Sequence, residues 1–262
     1  MDFNRRNLLG SIGAITAGAA LIPVAGANTL SNDVVQTSNE LTMHGDKNKR
    51  YAMVVDLRRC VGCQACTVAC TIENQPPLGQ FRTTVNQYEV SDADNLDSPA
   101  AYFMLPRLCN HCENPPCLPV CPTGATYQRD DGIVVVNNKW CVGCGYCVQA
   151  CPYEARFINH ETNTADKCTF CAHRLDAGLL PACVETCVGG ARNIGDLNDP
   201  NSHINKLLHE NRHDIKVLRP DSATDPRVFY IGMTQAFQDN LNAEPAVRTI
   251  LNDEGEVLNH DH

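Results

Sequence analysis

The stretch CVGCGYCVQACP, residues 141–152, decides the reading of this chain: it places thiols at Cys141, Cys144, Cys147 and Cys151, with Pro152 directly after the last. Three more cysteine groups flank it. Upstream lie Cys109, Cys112, Cys117 and Cys121, again followed by a proline, Pro122, and before them Cys60, Cys63, Cys66 and Cys70. Downstream lie Cys168, Cys171, Cys183 and Cys187. These groups use all 16 cysteines of the 262-residue chain.

The spacing has a mechanical meaning. Three cysteines at intervals of two residues wrap a tight loop around one face of a cubane iron–sulfur cluster and leave one iron without a ligand. The next cysteine follows a short helical turn, points away from that loop and completes the cluster of a partner run. Groups therefore come in pairs. A hairpin-like segment, residues 126–136 with Asp131-Gly132 as its turn signal, joins the second group to the third. Those two groups read as an inner ferredoxin-like module, residues 108–151. The first and fourth then make an outer module, residues 50–107 and 152–195, interrupted by the inner one. The expected fold is α+β, two nested ferredoxin-like 2×[4Fe–4S] modules with long loops, and the expected cofactors are four [4Fe–4S] clusters. One takes Cys60, Cys63, Cys66 and Cys187; a second takes Cys70, Cys168, Cys171 and Cys183. A third takes Cys109, Cys112, Cys117 and Cys151; the last takes Cys121, Cys141, Cys144 and Cys147.

Competing cysteine chemistries fit less well. Zinc suits paired C-x-x-C motifs, but the triple runs bring a third thiolate too close for separate tetrahedral sites. Haem attachment needs a histidine directly after C-x-x-C, which no such motif here has, and thioredoxin-like chemistry needs one motif rather than an array. A disulfide framework allows an even count but conflicts with the export leader. In that leader, Arg5-Arg6 precedes a weakly apolar run from Leu8 to Val24 and an Ala25-Gly26-Ala27 cleavage pattern, so residues 1–27 read as a twin-arginine signal. That route exports folded cargo, as a protein loaded with clusters in the reducing cytoplasm requires. The expected location is the periplasm, at the inner membrane through a partner subunit; a retained leader would instead be a membrane anchor.

Composition narrows the function further. The formal net charge is −9 and no basic stripe exists, which excludes a nucleic-acid partner. Aromatic residues make up only 6%, so inorganic cross-links are expected to replace much of an apolar core. There is no phosphate-binding glycine loop, nucleophile elbow or dinucleotide turn. No catalytic residue is expected, and electron transfer reads as the whole task.

Outside the groups, residues 28–49 read as a flexible start, and Tyr51–Asp56 as a strand leading into the first group. The stretch from Phe81 to Ala101 is an insertion of unassigned structure. In the C-terminal extension, residues 196–262, Ser202 caps a helix over His203–Asn211, Val228–Ile231 is a closing strand, and the acidic end from Asn252 is expected to be disordered. Trp140 and Tyr146 flank the third group and are expected to shield it from water. His111 and His173 are expected to pack or hydrogen-bond near sulfur. Arg107 and Lys167 stand before cluster cysteines, either raising local potentials or as ordinary solvated charges.

The segments RYAMVVDLRRCVGCQACTVACTIENQPPLGQFRTTVNQYEV (50–90), LPRLCNHCENPPC (105–117), CVGCGYCVQACPYEARFINHETNTADKCTFC (141–171) and HRLDAGLLPACVETCVGGARNIGDL (173–197) carry a further likeness. Together with the four-group pattern they resemble the iron–sulfur subunits of the DMSO reductase family of molybdoenzymes, most of all the tetrathionate-reducing branch. Polysulfide, thiosulfate, DMSO and nitrite-linked systems use similar subunits. The resemblance implies a wire between a membrane quinol-oxidising subunit and a molybdopterin catalytic subunit. It implies that the set with Cys60 lies toward the molybdenum subunit and the set with Cys121 toward the membrane. In nitrate reductase relatives a tryptophan matches Cys144 and one iron is missing; the cysteine here implies four complete clusters. Thr71 and Val188 stand where proline commonly follows the last cysteine of a run.

Overall fold

The computed structural model describes residues 44–90, 101–234, 237, 250–251 and 257–258. The stretch expected to be an export leader, residues 1–27, lies outside them, as does most of the acidic end from Asn252; Ile250–Leu251 pairs with Val257–Leu258. The architecture is mixed α and β, built from short elements. Among the described residues no helix is long and apolar enough to cross a membrane.

One four-stranded sheet organises the chain. Strand β1, Tyr51–Asp56, is buried along its whole length, as its unbroken run YAMVVD suits a central strand covered on both faces. It pairs in parallel with the late strand Val228–Ile231 and antiparallel with Arg192–Asp196. A fourth strand, Ile215–Lys216, pairs with Val228–Ile231 and completes the sheet. On one face Tyr51, Met53 and Val55 enter the main core together with Cys66, Cys109, Cys168 and Cys183. On the other, Ala52 and Val54 pack on Ile204 of the helix His203–Glu210. That helix starts where the sequence placed it, with the Ser202 hydroxyl accepting from the Asn205 N–H at 3.4 Å.

The unassigned insertion is a hairpin. Strand β2, Thr83–Val90, pairs antiparallel with β3, Ala101–Leu108, in register Thr83 to Leu108. Stacking of Phe237 on Phe103 at 4.8 Å and an edge contact with Tyr88 at 5.2 Å hold it to the core, as does the Tyr230 hydroxyl donating to Pro106 O at 2.9 Å.

The hairpin expected over residues 126–136 is present as β4, Thr126–Gln128, and β5, Val134–Val136. Its turn is fixed by Gly132 at φ +84° and by Asp131, whose carboxylate accepts from Ile133 N at 3.1 Å. The same carboxylate meets the buried Arg129 guanidinium at 2.8 Å, and Asp176 meets it at 2.6 Å. Residues 44–49, at the end of the stretch expected to be flexible, reach this hairpin, where the Asp130 N–H donates to His44 O at 2.7 Å. Asp131→Ala takes one of the carboxylates away from a buried guanidinium and is expected to cost about 3 kcal/mol. Thermal unfolding of the anaerobic, iron-loaded protein checks this; an unchanged midpoint would contradict it.

Candidate metal centres

The cysteine loops take their shape from left-handed backbone positions. In the first group Gly62 (φ +69°) and Gln64 (φ +60°) turn the chain between Cys60 and Cys66, and in the third Gly143 (φ +67°) and Gly145 (φ +78°) do the same. A Cβ on Gly143 would stand 2.3 Å from the backbone oxygen of Asn163, so only glycine fits there. Each loop feeds a short helix, α1 over Ala65–Asn74 and α2 over Tyr146–Gln149. On α1, Cys66 and Cys70 lie one helical turn apart on the same face, and both are buried. The helix thereby presents one thiol to each of two neighbouring sites.

The structure brings Cys60, Cys63, Cys66 and Cys187 around one small cavity, closed by Val85, Pro106 and Arg192. Cys109, Cys112, Cys117 and Cys151 ring a second small cavity, beside Val134, Pro152 and Arg156. Cys70, Cys168, Cys171 and Cys183 are all buried, and the Asn74 amide donates to both Cys70 Sγ (3.4 Å) and Cys171 Sγ (3.6 Å). Of the remaining four, Cys141 and Cys147 share an apolar cluster with Cys117, Val134 and Ala165, whereas Cys121 and Cys144 are not in it. None of the sixteen thiols is in a disulfide.

The thiols differ in environment. Burial pushes Cys70 up to about 12, Cys112 to about 12 and Cys117 to about 11, with neighbouring thiols adding to the effect. These groups are neutral in the metal-free chain and give up protons when iron binds. At Cys121 burial also acts upward, but hydrogen bonds from Thr126, Thr123 and Ala125 outweigh it and bring the thiol down to about 7. Backbone N–H groups reach three more sulfurs: Ala165 to Cys141 at 3.3 Å, Phe170 to Cys168 at 3.4 Å and Ala191 to Cys187 at 3.2 Å. Such donors favour the more negative, reduced state of a cluster.

An iron–sulfur cluster fits these residues. Among the described residues no three His, Cys, Asp or Glu side chains converge on a point where one ion could sit. In two of the sets the thiols ring a cavity instead, whereas a tetrahedral zinc ion at about 2.3 Å from each sulfur would draw them together. The buried Arg192 Nε and Nη1 find no hydrogen-bond partner, which leaves room for an anionic group beside them.

Other residues read differently in three dimensions. Trp140 and Tyr146 do not seal the third group: they are 53% and 58% exposed, and Val142 between them is 65% exposed. An indole and a phenol that exclude water would themselves be largely covered, and both rings keep about half their surface open. His111 is fully buried, stacks on Phe170 at 3.7 Å and accepts from Val134 N at 3.1 Å, so it packs the hairpin onto the fourth group. His173 pairs with Glu73 at 2.7 Å, and with Arg174 it clamps α1 to the helix Ala172–Asp176. Lys167 is buried, with its ammonium donating to Val134 O and to Cys168 O (2.7 Å); Arg107 donates to Tyr153 O at 3.0 Å.

Two buried arginines escaped the sequence reading. Arg156 donates to Cys117 Sγ at 3.0 Å, and Arg192 lines the first cavity. A signal for both existed: each stands five residues after the last cysteine of its run, in CPYEAR (151–156) and CVGGAR (187–192).

Residues 100–197 match the 4Fe–4S dicluster domain family, which defines the class of protein. The chain is 60% identical to the tetrathionate reductase beta subunit of Salmonella typhimurium over 249 residues, 94% of this chain and 96% of that one. It is 40% identical over 210 residues to a putative dimethyl sulfoxide reductase iron–sulfur subunit of Halobacterium salinarum, covering 69% of this chain and 78% of the relative. It is 46% identical over 152 residues to the thiosulfate reductase electron transfer subunit of Salmonella typhi, covering 57% of this chain and 78% of the relative. The chain belongs to the family of iron–sulfur subunits of DMSO-reductase-type molybdoenzymes. It is an iron–sulfur electron-transfer subunit of a reductase complex.

Proposed function

We propose that this chain carries electrons from a membrane-integral quinol-oxidising subunit to a molybdopterin subunit that reduces tetrathionate to thiosulfate. The observation that carries the acceptor is the 60% identity to a tetrathionate reductase beta subunit over nearly the full length of both chains. Relatives at 40 to 46% identity are named for dimethyl sulfoxide, thiosulfate and tetrathionate reductases alike, so identity at that level does not choose among acceptors.

The cofactors are four [4Fe–4S] clusters on the four sets given above, arranged as a ferredoxin-like module nested within another. Bound there, each cluster accepts and releases single electrons. The protein's own part is to hold the thiols, keep water from the inner sites and set their potentials. Two features support the wire's course through the chain. Cys63 and Cys144 are the two exposed cysteines, in the sets expected at opposite ends, while the set with Cys70 is buried throughout. The exposed Trp140, Val142 and Tyr146 lie beside Cys144, and Val61 and Val188 beside Cys63 and Cys187, apolar rims suited to partner subunits. The twin-arginine leader supports a periplasmic site of work.

The complex purified anaerobically with its partners tests this reading. Quinol-driven turnover is expected with tetrathionate and not with DMSO or nitrite. Turnover on another acceptor without tetrathionate reduction would move the chain to that branch.

A further inference from the structure

Four basic side chains are buried among the described residues: Arg129, Arg156, Lys167 and Arg192. Arg129 is paired with Asp131 and Asp176. Partly exposed arginines are paired too, Arg82 with Asp166, Arg174 with Glu73 and Glu185, Arg227 with Glu113. Arg156 and Arg192 have no carboxylate partner among the described residues. A guanidinium stays charged at any working pH, and an unpaired buried charge is costly enough that folded chains supply a counter-charge.

The surroundings of both arginines say what that counter-charge is. Arg192 is held by Thr83, whose hydroxyl oxygen accepts from Nη2 at 2.8 Å, while Nε and Nη1 find no partner. It borders the cavity of Cys60, Cys63, Cys66 and Cys187, and its charge acts on Cys183, Cys66 and Cys168, thiols of two different sets. Arg156 is held in the same way by Thr126, whose hydroxyl oxygen accepts from Nη1 at 3.3 Å, while Nη2 reaches Cys117 Sγ at 3.0 Å. It borders the cavity of Cys109, Cys112, Cys117 and Cys151, and its charge also acts on Cys147 of the last set. Both arginines thus repeat one design: five residues past a final cysteine, steadied by a threonine hydroxyl, and set between two thiol sets.

We propose that Arg192 and Arg156 are built-in counter-cations, each shared by two adjacent cluster sites, that raise the reduction potentials of the sites they join. This rests on the assignment of clusters to the four thiol sets. A thiolate-ligated cluster is anionic and gains one further negative charge on reduction, so a fixed cation between two sites favours the reduced state of both. Each transfer oxidises one site and reduces the next by one electron, with no bond or proton moved. A cation at the junction stabilises the electron on either side and so raises both potentials.

Anaerobic redox titration of the full-length, iron-loaded protein, followed by electron paramagnetic resonance, tests the proposal. Arg192→Gln and Arg156→Gln are each expected to lower at least one midpoint potential. The oxidised-to-reduced ratio at fixed ambient potential should rise about tenfold, or about 59 mV for a one-electron couple. Arg192→Lys and Arg156→Lys, which return the charge, should recover most of the shift. Full iron with unchanged potentials in both glutamine variants overturns the proposal. Should a glutamine variant lose iron, its lysine counterpart decides: recovered iron supports a need for charge, and continued loss overturns it. Wild-type protein without reducible clusters would instead overturn the cluster assignment itself.

Discussion

A Cys112→Ser variant is expected to pass electrons from quinol at least about 100-fold more slowly, while keeping most of its iron. Cys112 is buried and rings a cavity with Cys109, Cys117 and Cys151, so water cannot readily take its place as a ligand. Serine offers a hard oxygen where iron in a cluster takes soft thiolate, and the hydroxyl holds its proton more tightly than the thiol. With the four cubanes proposed above, one is then lost or altered, about a quarter of the iron. The effect on flux is larger than the effect on iron because the sites act in series. A donor that reduces the catalytic partner directly should bypass the break and sustain turnover. Equal loss with both donors would show that the variant disturbs assembly rather than the wire, and full quinol activity would remove this site from the path.

The second large effect is on folding. Stripping iron with a chelator under reducing conditions is expected to unfold the cysteine-bearing region cooperatively. Its elements are too short to stand alone: β4 and β5 have 3 residues each, and α2 has 4. Cys66, Cys109, Cys168 and Cys183 are themselves members of the main core. A structural metal site contributes on the order of 10 kcal/mol to folding, comparable to the whole stability of about 5–15 kcal/mol of an ordinary domain. Circular dichroism and amide hydrogen exchange on the iron-free chain check this. A native-like spectrum with protected amides in residues 109–151 would contradict it.

How far these features were legible in the sequence depends on how narrowly physics fixes each one. Cluster ligation demands particular spacings, so the thiol sets read directly; the structure gathers two of the four sets around cavities and Asn74 onto thiols of a third. Strand Tyr51–Asp56 was legible because a doubly covered strand needs an unbroken apolar run, and the helix at His203 because Ser202 announces its start. The hairpin of β2 and β3 was not. Pro106 inside β3 argues against a strand, and the ten residues between the strands carry no short turn signal. Arg156 and Arg192 escaped because a basic side chain reads as surface until a buried anion is placed beside it. Aromatic residues beside a cysteine run suggest a shield because such side chains are commonly buried; the exposure of Trp140 and Tyr146 makes sense where a second protein surface covers them.

Everything functional about the chain depends on its thiols holding iron and sulfide. The most direct measurement is the iron and acid-labile sulfide content of the anaerobically purified full-length protein, taken with its redox-titrated paramagnetic signals. Four cubane sites require about sixteen iron and about sixteen sulfide per chain, with reducible cluster signals. Zinc in place of iron, sulfide near zero, or thiols consumed in disulfides would contradict the account.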